Sequence, residues 1–330
     1  MTGFSSNLTS AFSRRGVTAA SVRWLAATLL LTILAWVAGL ALLLGIANRV
    51  HVDVPYLLAI KLPLLKSNPE LIFAGESRTA YGVDPVLAAR LLGERPGYAV
   101  NLAYDAGEPL AVLGAARTKP DAFRGAHVVV SVAPFIFNEG VRSAGVFPQD
   151  VVARLGVAEQ LIAFLPLRVG TLIRYIREAF KARLAKQQGI ADTVPQSAGL
   201  GLYQITDTKP AGQWIAQLGD HPHYAGWNIS GPKARYETEA LCDLAKLTRK
   251  LTVVIPPWAA RYDRAADMIW RDKEDQIAKL IAAAGQRCGF DVLNIPSVPE
   301  LAPVNFADEM HVNSGGIPIY TRYLVEQLKQ

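Results

Sequence analysis

Leu71-Ile-Phe-Ala-Gly-Glu-Ser-Arg78 decides the reading of the fold: four apolar residues, a glycine, then a polar turn. A short apolar run closed by turn residues reads as a strand buried on both faces. Runs of the same character recur at Tyr98–Ala103, His127–Ala133, Leu251–Pro256 and Phe290–Ile295. Helical patterns lie between them, after Asp84, after Pro109, at about 233–250 and at about 261–287, with a last one at 314–330. Strands alternating with helices require crossover connections and therefore a parallel sheet. The expectation is a flavodoxin-like three-layer α/β/α domain with a five-stranded parallel sheet. Ligands of such sheets bind beyond the carboxyl ends of the strands, which is where Gly75-Glu-Ser77-Arg78 stands.

N-terminal to this domain, residues 24–48 read WLAATLLLTILAWVAGLALLLGIAN and carry no charge. At 1.5 Å per residue such a helix crosses the ~30 Å hydrocarbon layer. A secretory signal has a shorter apolar region, about 7–15 residues, so a retained anchor is expected, although Leu-Gly-Ile-Ala at its end resembles a cleavage site. Arg14, Arg15 and Arg23 precede the span and the first acidic residue is Asp53. This predicts a bacterial inner-membrane protein with a single pass, its N-terminus cytoplasmic and its remaining domain periplasmic. The expected layout is a cytoplasmic N-terminus (1–23), an anchor (24–48), a juxtamembrane connector (49–69) and one domain (70–330) with an insertion at about 141–232.

The 330 residues are 51% hydrophobic, so the part beyond the anchor suffices for one ordinary core. The net charge is +6, but the Lys and Arg residues are scattered and rarely interleave with aromatics, so no nucleic-acid partner is expected. Cys242 and Cys288 are the only cysteines. The expected compartment permits a disulfide between them, and free buried thiols remain equally open. Within the insertion, Arg174, Arg177, Lys181, Arg183 and Lys186 recur near helical spacing among Ile173, Ile176, Phe180 and Leu184. Such a helix suits lipid headgroups or a membrane partner, or simply a solvated face over a local core. His221 and His223 lack the further ligands a metal needs, so no metal and no cofactor is expected.

Two elements carry candidate chemistry. Ser77 would project from the carboxyl edge of the sheet, where Gly75 permits a tight turn. A serine there is a weak nucleophile without a base, and by itself reads as well as a helix cap. Near the C-terminus, Asn305-Phe-Ala-Asp308-Glu-Met-His311-Val-Asn-Ser-Gly-Gly316 sets an acid three residues before a histidine. In a turn, that spacing lets a carboxylate orient one ring nitrogen and leave the other for a nucleophile.

A first-strand Gly-x-Ser joined to a C-terminal Asp-x-x-His by a five-strand α/β pattern resembles the SGNH (GDSL-like) hydrolase superfamily over about residues 70–330, the insertion excepted. The resemblance implies Ser77 as nucleophile, His311 as general base and Asp308 as its orienter. It implies a backbone oxyanion donor at Gly107. It also implies a block-three asparagine, for which Asn138, several residues beyond the third strand, is the stand-in. Pro and aromatics after that strand, the anchor and the Asp-x-x-His-x-Asn-x-x-Gly ending look like the DltD and alginate-acetylation branch. That likeness implies acyl transfer, with acetyl expected, onto an envelope or secreted polysaccharide. The implied partner is a polytopic membrane-bound O-acyltransferase or polysaccharide synthase or secretion machinery. A periplasmic carbohydrate esterase and a non-catalytic accessory subunit are the alternatives. Arg78, beside the nucleophile, is expected to hold an acidic substrate group or to pair with Glu76 or Asp84. Trp258 is expected as a substrate wall after the fourth strand, and Trp227, with Trp214 and Tyr224, as a surface for sugar rings or a small local core.

Overall fold

The computed structural model describes residues 19–49, 55–139, 226–259 and 264–330, with six helical positions between 173 and 184. Trp214, His221, His223 and Tyr224 lie outside the described residues, as does most of the insertion. The chain forms two compact units, divided between Arg49 and Val50.

The first unit is one helix, α1 (Ala19–Arg49), 31 residues long and thus about 46 Å. Trp24, Leu25 and Leu31 are among its exposed apolar side chains. Thr28 and Thr32 turn their hydroxyls onto the carbonyls of Trp24 and Thr28, both at 2.8 Å, which satisfies them within the helix. Among the described residues this is the one helix long and apolar enough to cross a membrane.

The second unit is an α/β domain around a five-stranded, all-parallel sheet: β1 (Leu71–Gly75), β2 (Ala99–Asn101), β3 (His127–Ser131), β4 (Lys250–Ile255) and β5 (Asp291–Asn294). The order is β2-β1-β3-β4-β5, that of flavodoxin-like sheets. Every β1 residue is buried, as a central strand covered on both faces demands. Register runs Leu71 opposite Ala99 and His127, and His127 opposite Lys250. The chain moves from β1 outward to β2 and then back across to β3, so the switch point of the sheet lies between β1 and β3.

The helices over the described residues are α2 (Tyr56–Ala59), α3 (Ser77–Gly82), α4 (Pro85–Leu92), α5 (Pro109–Thr118), α6 (Pro120–Gly125), α7 (Pro232–Leu247), α8 (Arg264–Cys288) and α9 (Gly316–Leu328). They sort into two packed groups, α3 and α4 with α9, and α5 and α6 with α7 and α8, one for each face of a doubly wound sheet. Asp84 starts α4 by accepting from the Val86 and Leu87 amides, with Pro85 in the first turn. α6, which the sequence pattern did not announce, follows α5 directly through Pro120. The folded unit also begins earlier than Glu70. Leu58 on α2 and Leu65 on the 3-10 turn Leu62–Ser67 are buried in the core, so much of the expected connector belongs to the domain. Cys242 on α7 and Cys288 at the end of α8 form a disulfide.

Candidate active site

β1 delivers its terminal glycine to a position that no other residue could fill. Gly75 has φ +106°, and a Cβ there would lie 2.1 Å from the Ser131 carbonyl oxygen on β3. The chain then turns sharply into α3, whose first residue is Ser77. Two anchors hold this turn. Glu76 donates its amide to Ser131 Oγ (3.2 Å), and Asn101 at the end of β2 donates from Nδ2 to the Thr79 and Val83 carbonyls at 2.8 and 2.9 Å. The turn that carries Ser77 is therefore tied to both neighbours of β1.

The other half comes from the loop before α9. Phe306 and Val312 form an antiparallel bridge, and the Ala307 amide donates to the His311 carbonyl at 2.8 Å. Asn313 secures the loop's end: Oδ1 accepts from the Gly315 and Gly316 amides while Nδ2 donates to the Val304 carbonyl. Within this loop the Asp308 carboxylate accepts from the Met310 and His311 amides, both at 2.8 Å. It also meets His311 Nδ1, at 2.8 Å from Oδ2 and 2.9 Å from Oδ1. His311 Nε2 lies 2.8 Å from Ser77 Oγ. The three residues named from the sequence thus form one hydrogen-bonded chain across 234 residues of sequence.

Burial alone would lower the His311 pKa, but the hydrogen bond and charge of Asp308, with the Glu76 charge added, outweigh it and leave the imidazole raised above its ordinary value. Burial would raise Asp308, and here too the pair prevails: His311 and the two backbone amides hold the carboxylate below its usual range. The pair is thus a base already oriented by an ionised acid. Chemically it can take a proton from Ser77 Oγ while Asp308 stabilises the imidazolium that results.

The structure engages the other expected residues elsewhere. Arg78, 3% exposed, takes the second of its two expected roles, the pair with Glu76, and not that of a substrate contact. Its Nε donates to Glu76 Oε1, Nη1 to the Pro256 carbonyl and Nη2 to the Val132 carbonyl, each at 3.0 Å. Trp258 is no substrate wall either. It is 1% exposed, and the Arg78 guanidinium sits 4.6 Å from its ring centroid. Gly107 donates its amide to the Tyr104 carbonyl (3.0 Å), closing a turn that holds Ala106 at φ +53°. A Cβ at Gly107 would lie 1.9 Å from the Gly75 carbonyl oxygen, so this glycine serves close packing against the nucleophile turn rather than an oxyanion. Asn138 is fully buried, with Oδ1 accepting from the Asn228 amide at 2.9 Å. Trp227 is half-buried and donates to Gln276 on α8.

Sequence reasoning passed over one further cluster. Tyr81, one helical turn beyond Ser77, meets the His311 ring edge-on with centroids 5.7 Å apart. Its hydroxyl donates to Asp105 Oδ1 at 2.5 Å. Lys61, from the supposed connector, donates to the Ala103 carbonyl, and burial, opposed by Asp105, lowers its pKa to about 8. The i, i+4 spacing of Ser77 and Tyr81 was the one signal for it in the sequence.

No protein-family model matches the chain, and no curated protein matches it.

Proposed function

We propose that this protein is an SGNH-like serine acyltransferase, anchored in the bacterial inner membrane, that moves an acyl group, with acetyl expected, onto a hydroxyl of an envelope or secreted polysaccharide. The observation that carries the reading is the unbroken chain Ser77 Oγ, His311 Nε2, His311 Nδ1, Asp308. The flavodoxin-like strand order, with the serine at the switch point, supports the SGNH assignment. The disulfide favours an oxidising compartment and so a periplasmic domain.

In this mechanism His311 Nε2 takes the Ser77 hydroxyl proton as Oγ attacks the acyl carbonyl carbon. The tetrahedral oxyanion faces the Ser77 backbone N–H, which as the first helical residue lacks an intrahelical partner. Collapse breaks the bond to the leaving group, which takes the proton back from His311. An acceptor hydroxyl then loses its proton to His311 and attacks the acyl-Ser77 ester, and a second collapse frees Ser77. Water as the acceptor gives an esterase. A polytopic membrane-bound O-acyltransferase is the proposed source of acyl groups; polysaccharide synthase or secretion machinery is the other proposed partner.

A second reading, a non-catalytic accessory subunit, is favoured by one observation: Gly107, an expected oxyanion donor, already gives its amide to the Tyr104 carbonyl. Losing one such donor costs about 100-fold or more in rate. A serine-reactive phosphonate applied to the full chain separates the two. Covalent labelling at Ser77, absent in Ser77→Ala and reduced at least about 100-fold in His311→Ala, is expected. Folded protein that takes no label would leave the accessory reading.

A further inference from the structure

Of the two roles the sequence offered Arg78, a substrate contact or a pair with Glu76 or Asp84, the structure shows the pair with Glu76; these are the two charged side chains flanking Ser77 in the chain, and both are buried. Glu76 accepts at Oε1 from Arg78 Nε and at Oε2 from the Arg78 amide, both at 3.0 Å, which closes the first turn of α3. The same guanidinium reaches the Val132 carbonyl just past β3 and the Pro256 carbonyl just past β4, and lies over Trp258. It therefore spans three neighbouring strand ends. The loop that carries His311 meets the same region, since the Ala259 amide, next to Trp258, donates to the Glu309 carbonyl at 3.1 Å.

We propose that Glu76 and Arg78 are the positioning pair of this site. Arg78 clasps the ends of β1, β3 and β4 so that Ser77 stays in register with His311, and its charge balances the Glu76 carboxylate that His311 would otherwise feel alone. The proposal rests on the reading of Ser77 and His311 as nucleophile and base. The charged groups acting on His311 are Asp308 from its own loop and Glu76 and Arg78 from the nucleophile turn; Tyr81 of α3 adds an uncharged ring edge, and Asp105 lies beyond it on the Tyr81 hydroxyl. After burial, which lowers the imidazole's pKa, and Asp308, which raises it, Glu76 raises it and Arg78 lowers it.

The test is an NMR titration of the His311 imidazole in the full chain in detergent micelles, for wild type, Glu76→Gln and Arg78→Gln. His311→Ala assigns the resonance among the five histidines. Glu76→Gln is expected to lower the midpoint and Arg78→Gln to raise it, each by roughly half a unit to one unit. Arg78→Gln leaves a buried lone carboxylate, so Glu76→Gln/Arg78→Gln, neutral at both positions, stands in where it fails to fold and should titrate near wild type. Arg78→Lys keeps the charge and loses the fork, and should keep the midpoint while slowing phosphonate labelling about tenfold. Shifts of the same sign in the two single variants, or a Glu76→Gln midpoint equal to wild type, would overturn the pairing. A wild type that titrates as described but takes no label at Ser77 would overturn the acyltransferase reading and leave the pairing in place.

Discussion

At Gly75 backbone and packing give one instruction. With φ +106° and the Ser131 carbonyl where a Cβ would stand, Gly75→Ala is expected to cost about 3 kcal/mol or more, read by chemical denaturation. With His311 as the proposed base, its ionisation sets the pH response of labelling. His311 must be neutral to accept the Ser77 proton and its pKa is raised, so phosphonate labelling should climb with pH through a midpoint above 6.5, followed as rate against pH. The same shifts bear on stability. The raised His311 contributes stability that is full below its unfolded value and lost as pH rises through the folded one; the depressed Asp308 contributes stability present above its unfolded value and lost as pH falls through the folded one. His127 works in the opposite sense. Burial first, then Lys250 and Arg249, hold it at about 4, and it stays neutral against Thr252. The unfolded chain therefore gains a proton that the fold refuses, and stability should fall between about pH 6.5 and 4, a slope that His127→Gln removes in urea melts. Asp308 and His311 were legible because an acid three residues before a histidine encodes their geometry locally; Ser77, 234 residues away, was joined to them only by the resemblance. Arg78's pairing with Glu76 was one of its two expected roles, but its bonds to the Val132 and Pro256 carbonyls, just past β3 and β4, and its place over the buried Trp258 were not legible, because backbone atoms far off in the chain leave no side-chain pattern.

Elements follow the same division. All five strands were legible from short apolar runs, and α4 from its Asp-Pro start, since these signals are local. What failed was the boundary at Glu70: Leu58 and Leu65 lie in a proline-broken stretch without clear periodicity, and only tertiary burial gives them meaning. The disulfide, too, was undecidable from two cysteines, because it depends on α7 and the end of α8 lying side by side. It closes a separation of 46 residues, worth about 4 kcal/mol by loop-closure entropy. Reduction, or Cys242→Ser with Cys288→Ser, should lower the thermal midpoint by about 10 °C, measured by calorimetry on the full chain.

For the whole molecule, the decisive expectation is a chain that stays with membranes. The uncharged span should keep it in the pellet through carbonate extraction, and removal of residues 1–49 should release it, both read by fractionation and blotting. Its substrate and partners were not legible in any residue pattern, since an acceptor polymer is read by surfaces rather than by a triad. The excursion after β3 has its own consequence. The chain leaves at Asn138 and Glu139 and re-enters at Asn228, where the Glu139 amide donates to the Asn228 carbonyl and the Asn228 amide to Asn138 Oδ1, both at 2.9 Å. Departure and return stand side by side, so a change of length between them starts from two ends that the main chain already holds together, and closing the gap asks little further of the five strands.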